Sequence, residues 1–349
     1  MQKVYTLYKD YLNSRPDSLY LNPHWNVAEA EKYLAKNLQP DNFQLFDGSG
    51  YDLNYMQYYK PKVLQIDRVE DGRYRVKTIF MSRCEDEEYK AFSPIAISRH
   101  YAVKDAGGNY KLENAIGYDT RNWPVYKYKY ITYVVHPYCK FNKNEAQEAI
   151  DFCDGIVKQF RLDPPEPITY YITPDSDEMG KILNFDYWLS HSTGRAFPAF
   201  RELYTAFGGA SYPHEFVHLL FPPSQPGKRA FIINEGLATW LGGPSQNETF
   251  EEALLKLSND LKEKEVTLDD IINNRYRNPF DNNPLYVSGA VICRLVYEKH
   301  GADGIHRLLE VPQDPALFKK GLKELFGMEY GEVDKMVILY IKRYSMSMD

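Results

Sequence analysis

Apolar positions recur at helical spacing over 28–38 and again over 144–160, where Ala149, Phe152, Cys153, Ile156 and Phe160 mark one face. Between these segments the pattern changes to alternation. Residues 63–69 and 74–80 are β-rich runs joined at Asp71-Gly72, which predicts a hairpin. A second pair, 97–103 and 110–116, is joined around Gly107-Gly108. Further strands are expected at 128–135 and 168–173, with Pro164-Pro165 and Pro167 as punctuation between helix and strand. From there the chain reads as mostly helical. Scaffold helices are expected at 250–262, 304–309, 315–326 and 333–344, and another opens near Leu285 and runs to His300-Gly301. Segment 194–207 stands apart as an expected edge strand.

This order predicts an α+β fold in two parts, divided near residue 127 just after Asn122-Trp123-Pro124. Residues 1–127 form a small domain, with a helical start and a curved antiparallel sheet. In element order it resembles the NTF2-like shape. Residues 128–349 form a mainly helical domain with a short sheet.

Composition narrows the classes. A chain of 349 residues with 44% apolar and 26% charged residues suits a soluble two-domain protein. Net charge is −6 and no basic run stands out, which argues against a nucleic-acid partner. The 30 tyrosines read as strand and core-edge residues rather than a ligand surface, since tyrosine is a good strand former. Cys84, Cys139, Cys153 and Cys293 contain no C-x-x-C pair and are too scattered for a disulfide framework. No apolar run approaches the roughly 18 residues of a membrane span. Residues 1–10 are polar and lack the apolar stretch of a secretory signal, so the expectation is a cytoplasmic chain or an exported one already processed.

The strongest chemical signal is His214-Glu215-Phe216-Val217-His218. Histidines at i and i+4 share one helix face, so both imidazoles can reach one ion, and imidazole nitrogen is a typical zinc ligand. Glu215 is displaced about 100° around the helix, too far round to be an obvious ligand. It is placed to take a proton from zinc-bound water. Pro213 suits a helix start and Pro222-Pro223 must end it. A catalytic zinc site needs a third protein ligand and one open position. Glu235, in Asn234-Glu235-Gly236-Leu237-Ala238-Thr239-Trp240, can supply it from a second helix that returns after a turn at 222–227, with Asn234 as its expected N-cap.

HEFVH followed by NEGLATW resembles the gluzincin metallopeptidases, which include the thermolysin-like and aminopeptidase N-like enzymes and small peptidase MA-like relatives. The resemblance implies His214, His218 and Glu235 as ligands of one zinc ion and Glu215 as general base. It is specific over 210–241 and loose over 128–310. Two features depart from it. Aminopeptidase N-like enzymes carry a Gly-Ala-Met-Glu-Asn strand whose Glu binds the substrate amine; here Gly208-Gly209-Ala210-Ser211 lies too near the zinc helix and lacks that Glu. Thermolysin-like enzymes place an Asp four residues after the ligand Glu; here the position is Thr239. In aminopeptidase N-like enzymes a downstream tyrosine stabilises the developing oxyanion. Tyr286 is similar in placement, and the alternative is a packing tyrosine at a helix start. His300, before Gly301, reads as structural.

The expectation is therefore a zinc peptidase, more an endopeptidase than an aminopeptidase, acting on a peptide or protein substrate. The reading from another class is a non-catalytic binding or surface protein on a peptidase scaffold, and an intact Glu215 argues against it.

Overall fold

The computed structural model describes residues 1–14, 21–40, 61–83, 92–188, 192–224, 228–276 and 283–345, and the statements below concern these residues. The fold is α+β, with two sheets followed by a helical C-terminal part.

The first sheet begins with β1 (Lys62–Glu70) and β2 (Arg73–Arg83), paired antiparallel across a turn in which Gly72 takes φ +72°. The Asp-Gly hairpin predicted at this point is therefore present, because glycine enters the left-handed region without a Cβ clash. β3 (Phe92–Lys104) pairs with β2 and with β4 (Tyr110–Glu113). The strand expected over 110–116 ends at Glu113. Asn114 donates its backbone N–H to the Glu29 carboxylate, Ala115 donates to Asn184 Oδ1, and α3 (Ala115–Asp119) begins there. These long-range partners break the ladder.

Helices α1 (Gln2–Leu12) and α2 (Val27–Leu34) cover this sheet. Tyr8, Tyr11, Trp25 and His100 fill the space beneath them with rings in edge and tilted contact. The centre of this part is thus solid aromatic core.

The second sheet has the order β5 (Val125–Tyr128), β6 (Ile131–Val135), β7 (Ile168–Ile172), β10 (Glu202–Thr205), β9 (Gly194–Phe197). Its three middle strands are parallel and its end strands antiparallel. The strand expected over 128–135 is β6, which starts only at Ile131 because the chain reverses at Lys129, φ +48°, and pairs it with β5. Ile131, Tyr133, Val135, Ile168, Tyr170 and Ile172 alternate inward against α4 (Lys143–Phe160), which joins β6 to β7. This is the half-buried alternation that fixes a register.

The chain does not turn helical directly after β7. A short helix, α5 (Ser176–Ile182), leads to β8 (Phe185–Trp188), which hydrogen-bonds to β3 and completes the first sheet. The two sheets change over near Trp123-Pro124, yet β8 comes from the far side of residue 127. The segment around 194–207 forms β9 and β10, and β9 ends the second sheet among the described residues, as an edge strand.

The remaining helices are α6 (Pro213–Leu220), α7 (Phe231–Gly242), α8 (Phe250–Leu261), α9 (Leu268–Ile272), α10 (Pro284–Leu309), α11 (Pro315–Phe326) and α12 (Tyr330–Tyr344). They share the largest core, built from residues such as Leu237, Leu254, Val291, Leu322 and Val337. α10 is interrupted at Gly301, whose φ of +62° and ψ of −153° divide the two helical stretches read from the sequence. No helix among the described residues is long and apolar enough to cross a membrane. Cys84 and the end of the turn at 225–227 lie outside the described residues.

Candidate metal centre

α6 starts at Pro213, whose missing N–H costs nothing in a first turn, and stops before Pro222-Pro223. Phe216 and Leu219 enter the core of the second sheet, while Val217 enters the helical core. Two apolar faces are thereby spent on two cores. The remaining face, carrying His214 and His218, is turned toward α7.

α7 starts at Phe231 with Ala230 as its N-cap, so Asn234 lies inside the first turn and is not the cap expected from the sequence. A local cap is not needed, because Phe231 donates its N–H to the side chain of Gln313. This is a tertiary partner for an orphan helix donor. Starting the helix early turns Glu235 onto α6.

His214, His218 and Glu235 then converge, with one donor atom from each lying within 4.8 Å of the others. Glu235 Oε2 is 3.4 Å from His214 Nε2 and 3.6 Å from His218 Nε2. Ligands about 2.0–2.1 Å from a tetrahedral ion sit about 3.3–3.4 Å apart, so these spacings suit one ion. His214 Nδ1 lies 2.7 Å from the Gly243 carbonyl. A carbonyl only accepts, so Nδ1 carries the proton and Nε2 is left with its lone pair toward the cluster. Asn234 Nδ2 is 3.2 Å from His218 Nδ1 and donates to Glu235 Oε1. Two imidazoles and a carboxylate could hold a divalent metal with a coordination position to spare.

Close backbone approaches fix this geometry. A Cβ on Gly242 would lie 2.4 Å from the His214 nitrogen, so the end of α7 rests on the start of α6. Gly243 takes φ +82° and aims its carbonyl at His214. Neither contact has a signal in the HExxH spacing. The Gly242-Gly243 pair at the end of an apolar helix is the one trace they leave in the sequence.

Charges at the cluster divide by role. Burial works against a charged Glu235, but the neighbouring histidines, the His218 charge first, hold its carboxyl well below the usual range. Burial also opposes charge on His218, and Glu235 more than reverses this, raising it. Glu215 is different. Burial pushes its carboxyl up, and His218 and His214 pull it back only in part. One carboxylate is thus kept charged beside the histidines, while the other is made a better proton acceptor.

β9 passes over this region. A Cβ on Gly194 would meet the Tyr212 ring at 2.2 Å and Glu215 Cγ at 3.0 Å, so only glycine lets the strand come so near. Tyr212 is tied to Thr193 through a 3.0 Å hydroxyl contact, and its hydroxyl is pushed up to about 12, first by burial and then by Glu215. The sequence spacing did not single out Tyr212, Thr193 or Gly194.

Tyr286, in the first turn of α10, stacks on His214 with ring centres 6.1 Å apart and planes 14° apart. The structure thus brings it beside the cluster. His300 instead contacts the Leu325 carbonyl at 2.7 Å and ties α10 to α11, a structural role. Thr239 is fully buried, and its hydroxyl has no hydrogen-bond partner among the described residues. A separate cleft of about 350 Å³, lined by Lys228, Arg229, Glu310 and Gln313 among others, contains none of the three donors. It connects to them through Arg229, which donates to Asn234 Oδ1.

No protein-family model matches the chain, and no curated protein sequence matches it.

Proposed function

We propose that this protein is a zinc-dependent hydrolase of peptide bonds, of gluzincin type and acting as an endopeptidase. His214, His218 and Glu235 would hold one zinc ion, and Glu215 would serve as general base. The observation that carries this reading is the convergence of Nε2, Nε2 and a carboxylate oxygen at ligand spacing, with a fourth buried group, Glu215, left out of the cluster. A structural zinc site would close its coordination with a fourth protein ligand. Here three donors converge, among the described residues.

A zinc ion held by these three residues would supply Lewis acidity toward a carbonyl oxygen and toward water. The chain's own residues supply the rest. Glu215, raised by burial, takes a proton from water and passes it to the leaving amine, a transfer typically worth 10²–10⁴-fold in rate. β9 offers its open main chain to an extended peptide, a sequence-tolerant way to hold a substrate. The Tyr286 hydroxyl is a neutral donor for the charge that develops on the carbonyl oxygen.

An aminopeptidase is the second reading, and the Gly208-Gly209-Ala210-Ser211 segment disfavours it. Ala210 is buried and donates its N–H to Glu145, so this stretch is engaged in the fold and offers no carboxylate to a substrate amine. The test is cleavage of matched peptides with free and acetylated N-termini by zinc-loaded protein. Equal cleavage of both supports an endopeptidase, and cleavage of the free form alone shows an aminopeptidase. No cleavage of a diverse peptide library, with Glu215→Gln indistinguishable from the parent, contradicts the hydrolase reading.

A further inference from the structure

We propose that Phe231 and Tyr286 form an aromatic wall beside the metal centre that selects an apolar, preferentially aromatic, side chain next to the bond being cut. This deepens the peptidase reading and rests on it. Phe231 is four residues before Glu235 on α7, so the two share one face of the helix. Helical side chains lean toward the N-terminus, which carries the Glu235 carboxylate toward the turn that bears Phe231.

The rings form a continuous path away from the cluster. Tyr286 stacks on His214 at 6.1 Å, and Phe231 meets Tyr286 at 6.1 Å with an interplanar angle of 63°. Phe231 is nevertheless 40% exposed, while Ile232, Ile233 and Leu237 on the same helix are buried. A lone exposed phenylalanine is ordinary on a protein surface. This one is distinguished by its position, one turn from a metal-binding carboxylate and against the ring that stacks on a metal-binding histidine.

The wall is also held still. Phe231 N–H is taken by Gln313 and Ala230 N–H by the Val311 carbonyl, so the first turn of α7 is pinned to the connection between α10 and α11. An apolar ring on a pinned backbone offers contact area at reduced ordering cost. An aromatic substrate side chain would add an edge or offset ring contact, where a methyl group gains little.

The test uses the zinc-loaded full chain and two peptidyl hydroxamates that differ only in carrying a benzyl or a methyl group beside the zinc-binding head. Their affinities are measured by calorimetry for the parent, Phe231→Ala and Phe231→Leu, with zinc content determined for each. The expected result is a benzyl preference of about tenfold in the parent. It shrinks to about twofold in Phe231→Ala and to an intermediate value in Phe231→Leu, at unchanged zinc content. A parent without the preference, or a preference that survives Phe231→Ala, overturns the wall. Peptide cleavage is scored separately. Hydroxamate discrimination without turnover of any peptide sinks the peptidase reading and leaves the wall standing.

Discussion

Gly236 of α7 and Gly289 of α10 touch through their backbones: a Cβ added to Gly236 would lie 2.3 Å from the Gly289 carbonyl carbon. Seen from the other helix, a Cβ on Gly289 would lie 2.0 Å from the Ile232 carbonyl oxygen. Gly236 follows the candidate ligand Glu235, and Gly289 is three residues after Tyr286. This crossing therefore sets how far the carboxylate and the tyrosine stand from the histidines.

Alanine at Gly236 or Gly289 forces the two helices apart. Overpacking of this kind typically costs about 1–3 kcal/mol. Denaturant unfolding of Gly236→Ala should show a loss in that range or larger, and zinc titration should show weaker binding as Glu235 is displaced.

Gly243→Ala tests the carbonyl that fixes His214. Its φ of +82° with ψ of 160° is a conformation essentially restricted to glycine, and a Cβ there would meet the Glu248 carbonyl oxygen at 2.2 Å. Disturbing such an outer partner typically costs about 10–100-fold in metal affinity. Competition against a chromophoric chelator should find zinc affinity reduced by that factor.

Glu215→Gln separates binding from chemistry. The amide keeps the volume and loses the basicity. Zinc should remain at the parent's stoichiometry, and peptide hydrolysis should fall by about 100-fold or more. Loss of zinc in this variant would make Glu215 a ligand and remove it as the base.

His100 gives a pH signature to the N-terminal part. Its imidazole is fully buried, 3.3 Å from the Tyr8 hydroxyl, and burial brings its pKa from 6.5 to about 3. Below pH 6.5 the unfolded chain takes up a proton that the folded chain refuses until about 3. Stability from this group is therefore full above 6.5 and lost as pH falls, by about 3 kcal/mol over two pH units. Glu29 titrates in the opposite sense: burial raises it from 4.5 to about 7, so its contribution is lost as pH rises through that interval. Comparison with His100→Gln isolates the histidine. As pH falls from 6.5 to 4.5 the parent should lose stability relative to the variant, as read from the difference between their urea midpoints.

Much of this fold was legible because local signals and tertiary contacts agree. Asp71-Gly72 demanded a left-handed turn and made one. Pro213 and Pro222-Pro223 bracketed α6 at its observed ends. The pairing of His214 with His218 was legible too, since i,i+4 spacing is a property of the helix itself. What escaped depended on distant partners. The start of α7 is set by Gln313, more than 80 residues away, so Asn234 was misread as a cap. β8 is a four-residue strand whose partner, β3, lies far upstream, and nothing in Phe185–Trp188 announces that pairing. The strand read to 116 stopped at Glu113 because Glu29 and Asn184 claim the next two amides. The tautomer of His214 rests on a carbonyl, and a carbonyl has no sequence identity.

His214, His218 and Glu235 are proposed to hold one zinc ion together. The most direct measurement is metal content by mass spectrometry after zinc loading and gel filtration, for the parent and for His214→Ala. About one zinc per chain is expected in the parent and little or none in the variant, with the fold of the variant retained by circular dichroism. A parent that retains no zinc, or a His214→Ala variant that retains as much as the parent, would contradict it.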